Sequence, residues 1–163
     1  MKFKRISIVH NDHDVPKWII KQALSQIEDG RRKGQNVVEF GKVIGFNNLV
    51  EVNDEDTEFF ECVRGDRSYP SRFVKNRLPR PCTRLAVIWH RVNDDVIRVI
   101  TAYFTDSEVA NCPDEPGNII RKINRGDRIS LNQIEESYEF WSKHAFVEPI
   151  PREYLGVISV LHV

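Results

Sequence analysis

Two strand-like runs separated by three polar residues stand in the second half of the sequence. Residues 85–92 (LAVIWHRV) and 96–104 (VIRVITAYF) are rich in β-branched and aromatic side chains, and the Asn-Asp-Asp between them is typical of a turn. Runs joined by so short a connection can pair only as antiparallel neighbours. The sequence therefore predicts a central β-hairpin over residues 85–104.

Three polar side chains interrupt the second run of this hairpin. Arg98, Thr101 and Tyr103 lie among apolar residues. In a regular strand, residues two apart point to the same face, so Thr101 and Tyr103 share one face. A buried strand has little reason to carry a guanidinium, a hydroxyl and a phenol unless they form a hydrogen-bond network or contact a ligand. The three residues therefore indicate either a core network or a binding site.

The length of the hairpin turn decides whether a histidine joins that face. A two-residue loop at 93–94 pairs His90 with Ile97 and places it on the face of the threonine and tyrosine. A three-residue loop at 93–95 pairs His90 with Arg98 on the other face. We predict the two-residue loop, because it brings a histidine to the Thr–Tyr pair.

An amphipathic helix is predicted near the start of the chain. Apolar residues from Trp18 onwards recur at helical spacing over residues 15–30. Asp12 or Asp14 is expected to cap this helix, because an aspartate carboxylate accepts hydrogen bonds from the free N–H groups of the first turn. We expect Trp18 to be buried against the sheet, where its replacement by alanine would cost about 3–5 kcal/mol.

A second helix is predicted over residues 131–144, with Ser130 or Asn132 as its cap and a buried Trp141 on its apolar face. Short alternating runs predict strands or extended segments at 2–10, 37–44, 48–53, 57–63, 71–75 and 154–163. This order indicates a single α+β domain, residues 1–163. In it, an N-terminal helix and a C-terminal helix pack against an antiparallel sheet.

The charges of the chain are balanced overall but unevenly distributed. The 24 lysines and arginines equal the 24 aspartates and glutamates. Residues 51–63 carry six acids and no base, whereas residues 64–105 carry nine basic residues, eight of them arginine, against three aspartates. A solvated surface balanced by the acidic segments is one interpretation. The other is phosphate recognition, which suits the planar guanidinium. It predicts one positive patch formed by Arg72, Arg77, Arg80 and Arg98.

Several familiar activities have no motif in this sequence. It contains no G-x-G-x-x-G, P-loop, G-x-S-x-G or H-E-x-x-H pattern. Its three cysteines are far apart and show no C-x-x-C spacing, which argues against a disulfide framework or a structural zinc site. No apolar run approaches the roughly 20 residues that span a membrane, and the first residues lack the apolar core of a secretory signal. We therefore expect a cytoplasmic protein without a membrane partner.

Histidine is the side chain that acts most readily as acid or base near neutral pH. His10 and His13 lie at the predicted junction of strand and helix, where polar capping residues are also common. His90 lies in an apolar strand, where a hydrogen-bonded core histidine is the other interpretation. His144 ends the last predicted helix, where a cation interacts favourably with the helix dipole. Each of the four therefore has both a structural and a functional interpretation.

A basic segment followed by a late hairpin that ends in hydrophobic–Thr–x–Tyr resembles the barnase–EndoU–colicin–RelE group of small bacterial ribonucleases. These toxin-type proteins pack an N-terminal helix on an antiparallel sheet and cut RNA without a metal ion. In members of the EndoU type, a Thr and a Tyr two residues apart on a late strand line the site, beside histidines and a basic residue. The positions that this resemblance implies are Thr101 and Tyr103, with His10, His13, His90 and Arg98 as partners.

A second resemblance involves three stretches of the chain. YPSRFVKNRLPRP, RVITAYF and SYEFWSKHA are similar to segments of a family of small, mostly uncharacterised proteins of bacteria and mobile elements. The matching positions are Ser71, Arg72, Arg77 or Arg80, Thr101, Ser137, Trp141 and His144. The serine and the arginines of the first stretch are the phosphate-binding residues that we expect.

Together these features predict an RNA-binding protein that acts as a metal-independent endoribonuclease. Histidines would supply the base and the acid, and arginines would offset the charge on the phosphate. The predicted catalytic residues are His90, His13, Thr101, Tyr103, Arg98, His10 and His144. The expected partners are RNA and a protein inhibitor or antitoxin, with no cofactor. The alternatives are a noncatalytic nucleic-acid-binding module and a protein-interaction domain that uses the acidic segment 51–61.

Overall fold

The computed structural model describes residues 1–11, 13–53, 58–63, 69–108, 112–147 and 158–162. These residues form a mixed α+β fold with mostly antiparallel sheets. The strands are β1 (Arg5–Ile8), β2 (Lys33–Glu39), β3 (Gly45–Asn47), β4 (Leu49–Glu51), β5 (Glu58–Val63), β6 (Pro70–Val74), β7 (Arg80–Cys82), β8 (Arg84–Asn93), β9 (Val96–Thr105), β10 (His144–Val147) and β11 (Ile158–His162). The helices are α1 (Lys17–Ser25), α2 (Pro116–Asn124) and α3 (Leu131–Ser142). No helix within these residues is long and apolar enough to cross a membrane.

Most predicted elements occur close to their expected positions. The exceptions are β2, which covers residues 33–39 rather than 37–44, and the elements β3, β7, β10 and α2, which the sequence patterns did not predict. The predicted end of the last helix at His144 is wrong, because α3 ends at Ser142 and His144 begins β10, where it pairs with Glu51 of β4. Some predictions concern residues outside the described ranges. These are the Asp12 cap, residues 54–57 of the acidic segment, 64–68 of the basic segment, and 154–157 and 163 of the last extended segment.

The chain divides into two compact units that are interleaved in sequence. The hairpin unit consists of Met1–Asn47 and Arg80–Asn111, and the α2–α3 unit consists of Asn48–Pro79 and Cys112–Val163. The chain therefore passes between the units three times. The single-domain organisation stays a prediction.

The predicted hairpin is confirmed and occupies the centre of a four-stranded sheet in the hairpin unit. The strand order is β1-β9-β8-β2. β8 pairs antiparallel with both β9 and β2, and β1 runs parallel to β9. The hairpin strands therefore have a hydrogen-bonded neighbour on each side.

One face of this sheet, the core face, packs against α1. The buried residues on the two central strands are Leu85, Val87, Trp89, Ile97, Val99 and Ala102. The helix contributes Ile19, Ile20, Ala23 and Leu24 to the same cluster. Trp89 donates its indole N–H to Asn36 Oδ1 at 2.9 Å, so its one polar atom is paired. The opposite side of the sheet, the outer face, is turned away from α1.

The predicted burial of Trp18 is wrong, because its side chain is 59% exposed. Successive helical residues are about 100° apart. Ile19 and Ile20 both occupy the buried stripe, which turns Trp18 away from it. The predicted cap at Asp14 is also wrong. Asp14 has a positive φ of 50°, and the helix begins after Pro16 without a side-chain cap.

The hairpin register differs from the one that we predicted. The turn consists of residues 94–95, and His90 pairs with Arg98 rather than with Ile97. The prediction assumed uninterrupted strands, but each strand contains a β-bulge, which inserts one extra residue into the pairing. Val92 is the extra residue on β8.

The bulge on β9 determines which side chains share the outer face. Thr101 and Val99 pair with consecutive residues of β8, which leaves Ile100 between them as the extra residue. An extra residue shifts the alternation of faces by one, so Arg98 and Thr101 point the same way. His90 lies opposite Arg98 and shares its face. The register with Arg98 therefore does not separate His90 from the Thr–Tyr pair, contrary to our expectation.

A five-stranded sheet in the order β11-β5-β6-β10-β4 belongs to the α2–α3 unit. Helix α3 begins with a capping box. The Ser130 hydroxyl accepts the N–H of Gln133 at 3.1 Å, and the Gln133 side chain accepts the N–H of Ser130 at 2.9 Å. Ser130 is thus the cap, one of the two that we predicted. Trp141 on this helix is buried, as predicted.

Candidate functional site

Four of the predicted catalytic residues lie on the outer face of the hairpin-unit sheet. They are His90, Arg98, Thr101 and Tyr103. Thr101, Tyr103 and His90 are half-buried, and Arg98 is exposed. Polar side chains are thus aligned along one face of a sheet whose other face is apolar.

Two further histidines lie in the segment that follows β1. His13, in the turn between β1 and α1, places its ring centroid 5.6 Å from that of Tyr103, with the planes inclined by 54°. The backbone N–H of His10 donates to the carbonyl of Ile100, the bulge residue, at 3.1 Å. Both histidine side chains are exposed. The segment after β1 therefore brings the His13 ring to Tyr103, whereas His10 is joined to β9 through its backbone.

His90 lies farther along the sheet than the other two. It is two residues along β8 from the partner of Thr101 and four from the partner of Tyr103. At about 3.3 Å per residue, these separations are roughly 7 Å and 13 Å. Of the histidines in the hairpin unit, His13 is the one whose ring contacts the Tyr103 ring.

Cations at the open end of the hairpin are paired with acids. Arg84 Nε lies 2.8 Å from Glu39 Oε2, and Arg80 donates to both oxygens of Asp106 at 2.7 and 2.6 Å. The backbone N–H of Gly41 donates to the Glu39 carboxylate, which is the main reason that the pKa of Glu39 lies below its usual value. Glu39 is therefore ionised at neutral pH, so the charges at this end are largely compensated.

The turn end of the outer face has a different charge environment. The guanidinium of Arg98 makes no hydrogen bond or ion pair with the described part of the chain. Arg5, Ser7 and Asn93 join it in lining a pocket of about 410 Å³. We did not single out Arg5 and Ser7 in the sequence. The alternation of residues along KFKRIS places Arg5 and Ser7 on one face of β1. Nothing in the sequence around β1, however, indicates that this strand pairs with β9.

The expected phosphate-binding residues of β6 make contacts within the α2–α3 unit. Ser71 is 1% exposed, and its hydroxyl donates to Glu115 Oε2 at 2.8 Å. Arg72 donates to the carbonyl of Trp141 at 3.1 Å, and its guanidinium lies 4.5 Å from the centroid of the Phe59 ring. These contacts hold β6 to neighbouring elements. The phosphate-binding role of both residues stays a prediction.

Three other positions of the second resemblance also make contacts within this unit. The Ser137 hydroxyl donates to the carbonyl of Asp114 at 2.5 Å, and the Trp141 indole donates to that of Pro113 at 2.9 Å. Both bonds attach α3 to the segment before α2. The His144 ring stacks on Phe140 with centroids 3.9 Å apart, and its Nδ1 lies 2.7 Å from the Phe140 carbonyl. These contacts position the side chains, and a catalytic role of His144 stays a prediction.

The four arginines of the predicted patch are divided between the two units. Arg72 and Arg77 belong to the α2–α3 unit, where Arg77 donates to the carbonyl of Glu51 at 2.8 Å. Arg80 and Arg98 belong to the hairpin unit. The single patch stays a prediction, and the candidate site is described from the hairpin unit alone.

Comparison with known proteins reveals a similarity of fold. No protein-family model matches the chain, and no curated protein matches it. A similar solved structure is the 2.35 Å crystal structure of a conserved hypothetical protein from Toxoplasma gondii ME49. The TM-score is 0.58 and the sequence identity 11%, with 80% of this chain and 83% of that chain covered. At this identity the similarity shows a shared fold alone.

Proposed function

We propose that this protein binds RNA and cleaves it as a toxin-like, metal-independent endoribonuclease. The proposed fold is of the ribonuclease type, with an N-terminal and a C-terminal helix against an antiparallel sheet. One observation carries the proposal. The bulge at Ile100 aligns Thr101 and Tyr103 with the exposed Arg98, while the His13 ring lies 5.6 Å from the Tyr103 ring. A Thr–Tyr pair, a histidine and a cation are the residue types that the ribonuclease resemblance implies.

The proposed reaction uses the 2′-hydroxyl of the RNA as its nucleophile. A base takes the proton of this hydroxyl, whose oxygen forms a bond to the adjacent phosphorus. The bond from phosphorus to the 5′-oxygen breaks, and an acid protonates that oxygen. The fragments then end in a 2′,3′-cyclic phosphate and a 5′-hydroxyl. Imidazole, with an unperturbed pKa of about 6.5, can fill both roles near neutral pH.

His13 and His10 are the histidines that we assign to the acid–base steps. The contact of the His13 ring with the Tyr103 ring supports the assignment of His13. The hydrogen bond from the backbone N–H of His10 to the carbonyl of Ile100 supports the assignment of His10. The hydroxyls of Thr101 and Tyr103 orient the phosphate, and Arg98 offsets its charge. His90, roughly 13 Å from the tyrosine row, is assigned to contacts with the RNA beyond the scissile bond.

The test is cleavage of a 5′-labelled RNA oligonucleotide by the purified full chain in the presence of a chelator. We expect fragments with a 2′,3′-cyclic phosphate and no cleavage of the same sequence with 2′-O-methyl ribose, which lacks the nucleophile. His13→Ala should lower the rate by about 10²-fold or more. Lys21→Gln, which removes an exposed charge on α1, is the matched control and should cleave at the rate of the unmodified chain.

Two results would contradict this proposal. Equal rates for the unmodified chain and His13→Ala would mean that the cut is not made at this site. RNA that is bound but never cut would identify a noncatalytic nucleic-acid-binding module. If RNA is neither bound nor cut, the protein-interaction alternative at residues 51–61 becomes the next hypothesis to test.

A further inference from the structure

The outer face continues past the catalytic residues into a pocket at the turn end of the hairpin. Its polar side chains are Arg5, Ser7, Asn93 and Arg98, and no aspartate or glutamate of the described residues lines it. Its volume of about 410 Å³ falls in the range of small-ligand sites. The pocket is therefore large enough for a phosphate group together with its sugar.

Strand pairing fixes the walls of this pocket. Parallel pairing of β1 with β9 sets Ser7 opposite Arg98, with Arg5 two residues earlier on the same face. The carbonyl of Asp95 accepts the N–H of Arg5 at 3.0 Å, which anchors the start of β1. The bulge at Val92 forms the remaining side. The four polar groups are thus held by the sheet rather than by a loose loop.

The pocket offers mainly hydrogen-bond donors. Arg5 and Arg98 are exposed, and neither guanidinium has a hydrogen bond or ion pair within the described ranges. The Asp95 carboxylate in the adjacent turn lies 3.4 Å from Lys4 Nζ. Asn93 accepts the N–H of Asp95 with its Oδ1 at 2.9 Å, which leaves its amide NH₂ as a donor. Two guanidinium groups and an amide match the oxygens of a phosphate.

We infer that this pocket binds a phosphate group of an RNA chain, adjacent to the phosphate that is cleaved at Thr101 and Tyr103. The identification of RNA rests on the proposed function, whereas the phosphate site rests on the pocket itself. Arg98 borders both sites, so the RNA backbone would run along β9 to Arg98 and from there across to Arg5 on the neighbouring strand β1. This arrangement would fix the register of the substrate before cleavage.

The phosphate site is tested by adding inorganic phosphate to the full chain while recording backbone amide NMR spectra. The amides of Ser7, Asn93 and Arg98 should shift with saturation. Arg5→Gln should weaken phosphate binding about tenfold, as expected for loss of a charge-assisted hydrogen bond. Lys21→Gln, which removes the same charge from the other side of the sheet, should leave binding unchanged. Absence of the shifts, or equal affinities for Arg5→Gln and the unmodified chain, would overturn the inference.

A second measurement distinguishes RNA from free phosphate. Binding of a 2′-O-methyl RNA hexanucleotide is followed at several salt concentrations. Arg5→Gln should reduce the slope of log K against log salt by about 0.7, the value for one phosphate contact on a single strand. An unchanged slope together with phosphate shifts would overturn RNA as the ligand in favour of a free phosphate or mononucleotide.

Failure of the inference and failure of the proposed function give different results. If His13→Ala abolishes cleavage but Arg5→Gln changes neither phosphate nor RNA binding, the ribonuclease proposal stands and the pocket assignment is overturned. If no RNA is cleaved but Arg5→Gln weakens phosphate and RNA binding, the pocket assignment stands and the ribonuclease proposal falls.

Discussion

Tyr103 brings two different functional groups to the outer face. Its ring contacts His13 with centroids 5.6 Å apart, and its phenol can donate a hydrogen bond to a phosphate oxygen. Tyr103→Phe keeps the ring and removes the hydroxyl, so we expect the cleavage rate to fall about tenfold, equivalent to about 1.4 kcal/mol. Tyr103→Ala should lower it further. Single-turnover cleavage of a labelled RNA measures both rates.

The control for this comparison is Tyr138→Phe. Tyr138 is 53% exposed on α3, and its hydroxyl has no part in the proposed chemistry. We expect this variant to cleave RNA at the rate of the unmodified chain. If Tyr103→Phe also retains the full rate while Tyr103→Ala does not, the ring alone is required and the hydroxyl does not orient the phosphate.

Two tryptophans of the hairpin unit should differ strongly in their contribution to stability. Trp89 is 2% exposed and its indole N–H is hydrogen-bonded, so Trp89→Ala should reduce the free energy of unfolding by about 3–5 kcal/mol. Trp18 is 59% exposed, so Trp18→Ala should change it by less than about 0.5 kcal/mol. Urea denaturation followed by circular dichroism measures both. A large loss on Trp18→Ala would show that its packing is more extensive than the exposure indicates.

The sequence specified the environment of some residues better than that of others. Burial of Trp141 was predicted correctly, because it lies on the apolar side of a helix with a clear start. Trp18 was placed on the wrong side. Helical spacing identified its helix, but the position of the buried stripe depended on Ile20, which packs against the sheet. A periodic pattern thus gives the type of element more reliably than the exposure of a residue at its edge.

At the level of elements, the hairpin was predictable and its register was not. A short polar connection between two runs of β-branched and aromatic residues indicates a hairpin, whether or not its strands contain bulges. Ile100, the extra residue on β9, is β-branched like Val99 and Thr101 on either side and therefore carries no signal of a bulge. Because of the bulges, strand parity alone gives neither the partner nor the face of His90. The association of His90 with Thr101 arises from the bulge and not from the predicted turn.

The capping box of α3 permits a direct test of which residue starts the helix. Ser130→Ala removes the hydroxyl that accepts the N–H of Gln133, so it should reduce the free energy of unfolding by about 1 kcal/mol. Asn132→Ala loses only a bond to Glu136, one turn along the exposed side, and should cost less than about 0.5 kcal/mol. Thermal or urea unfolding measures both. A loss below about 0.5 kcal/mol on Ser130→Ala would mean that the box does not stabilise the helix.

At the scale of the molecule, the sheets join segments that are far apart in sequence. β5 (Glu58–Val63) pairs with β11 (Ile158–His162), and β1 (Arg5–Ile8) pairs with β9 (Val96–Thr105). Local patterns predicted the α+β class, but they contain no information about such partners. The division into two larger sheets could therefore not be predicted. The position of Arg5 and Ser7 beside Arg98 depends on the same long-range pairing.

The interleaving of the two units makes a prediction about how the molecule unfolds. Each unit is built from two separate stretches of chain, so neither exists as one continuous fragment. Opening either unit removes constraints from the segments that lead into the other. We therefore expect one cooperative transition, as for a single domain. Pulse-labelling hydrogen exchange across a urea series should give amides of β8–β9 and of β6 the same midpoint. Midpoints that differ by more than about 0.5 M, which corresponds to roughly 1 kcal/mol, would show that the units unfold independently.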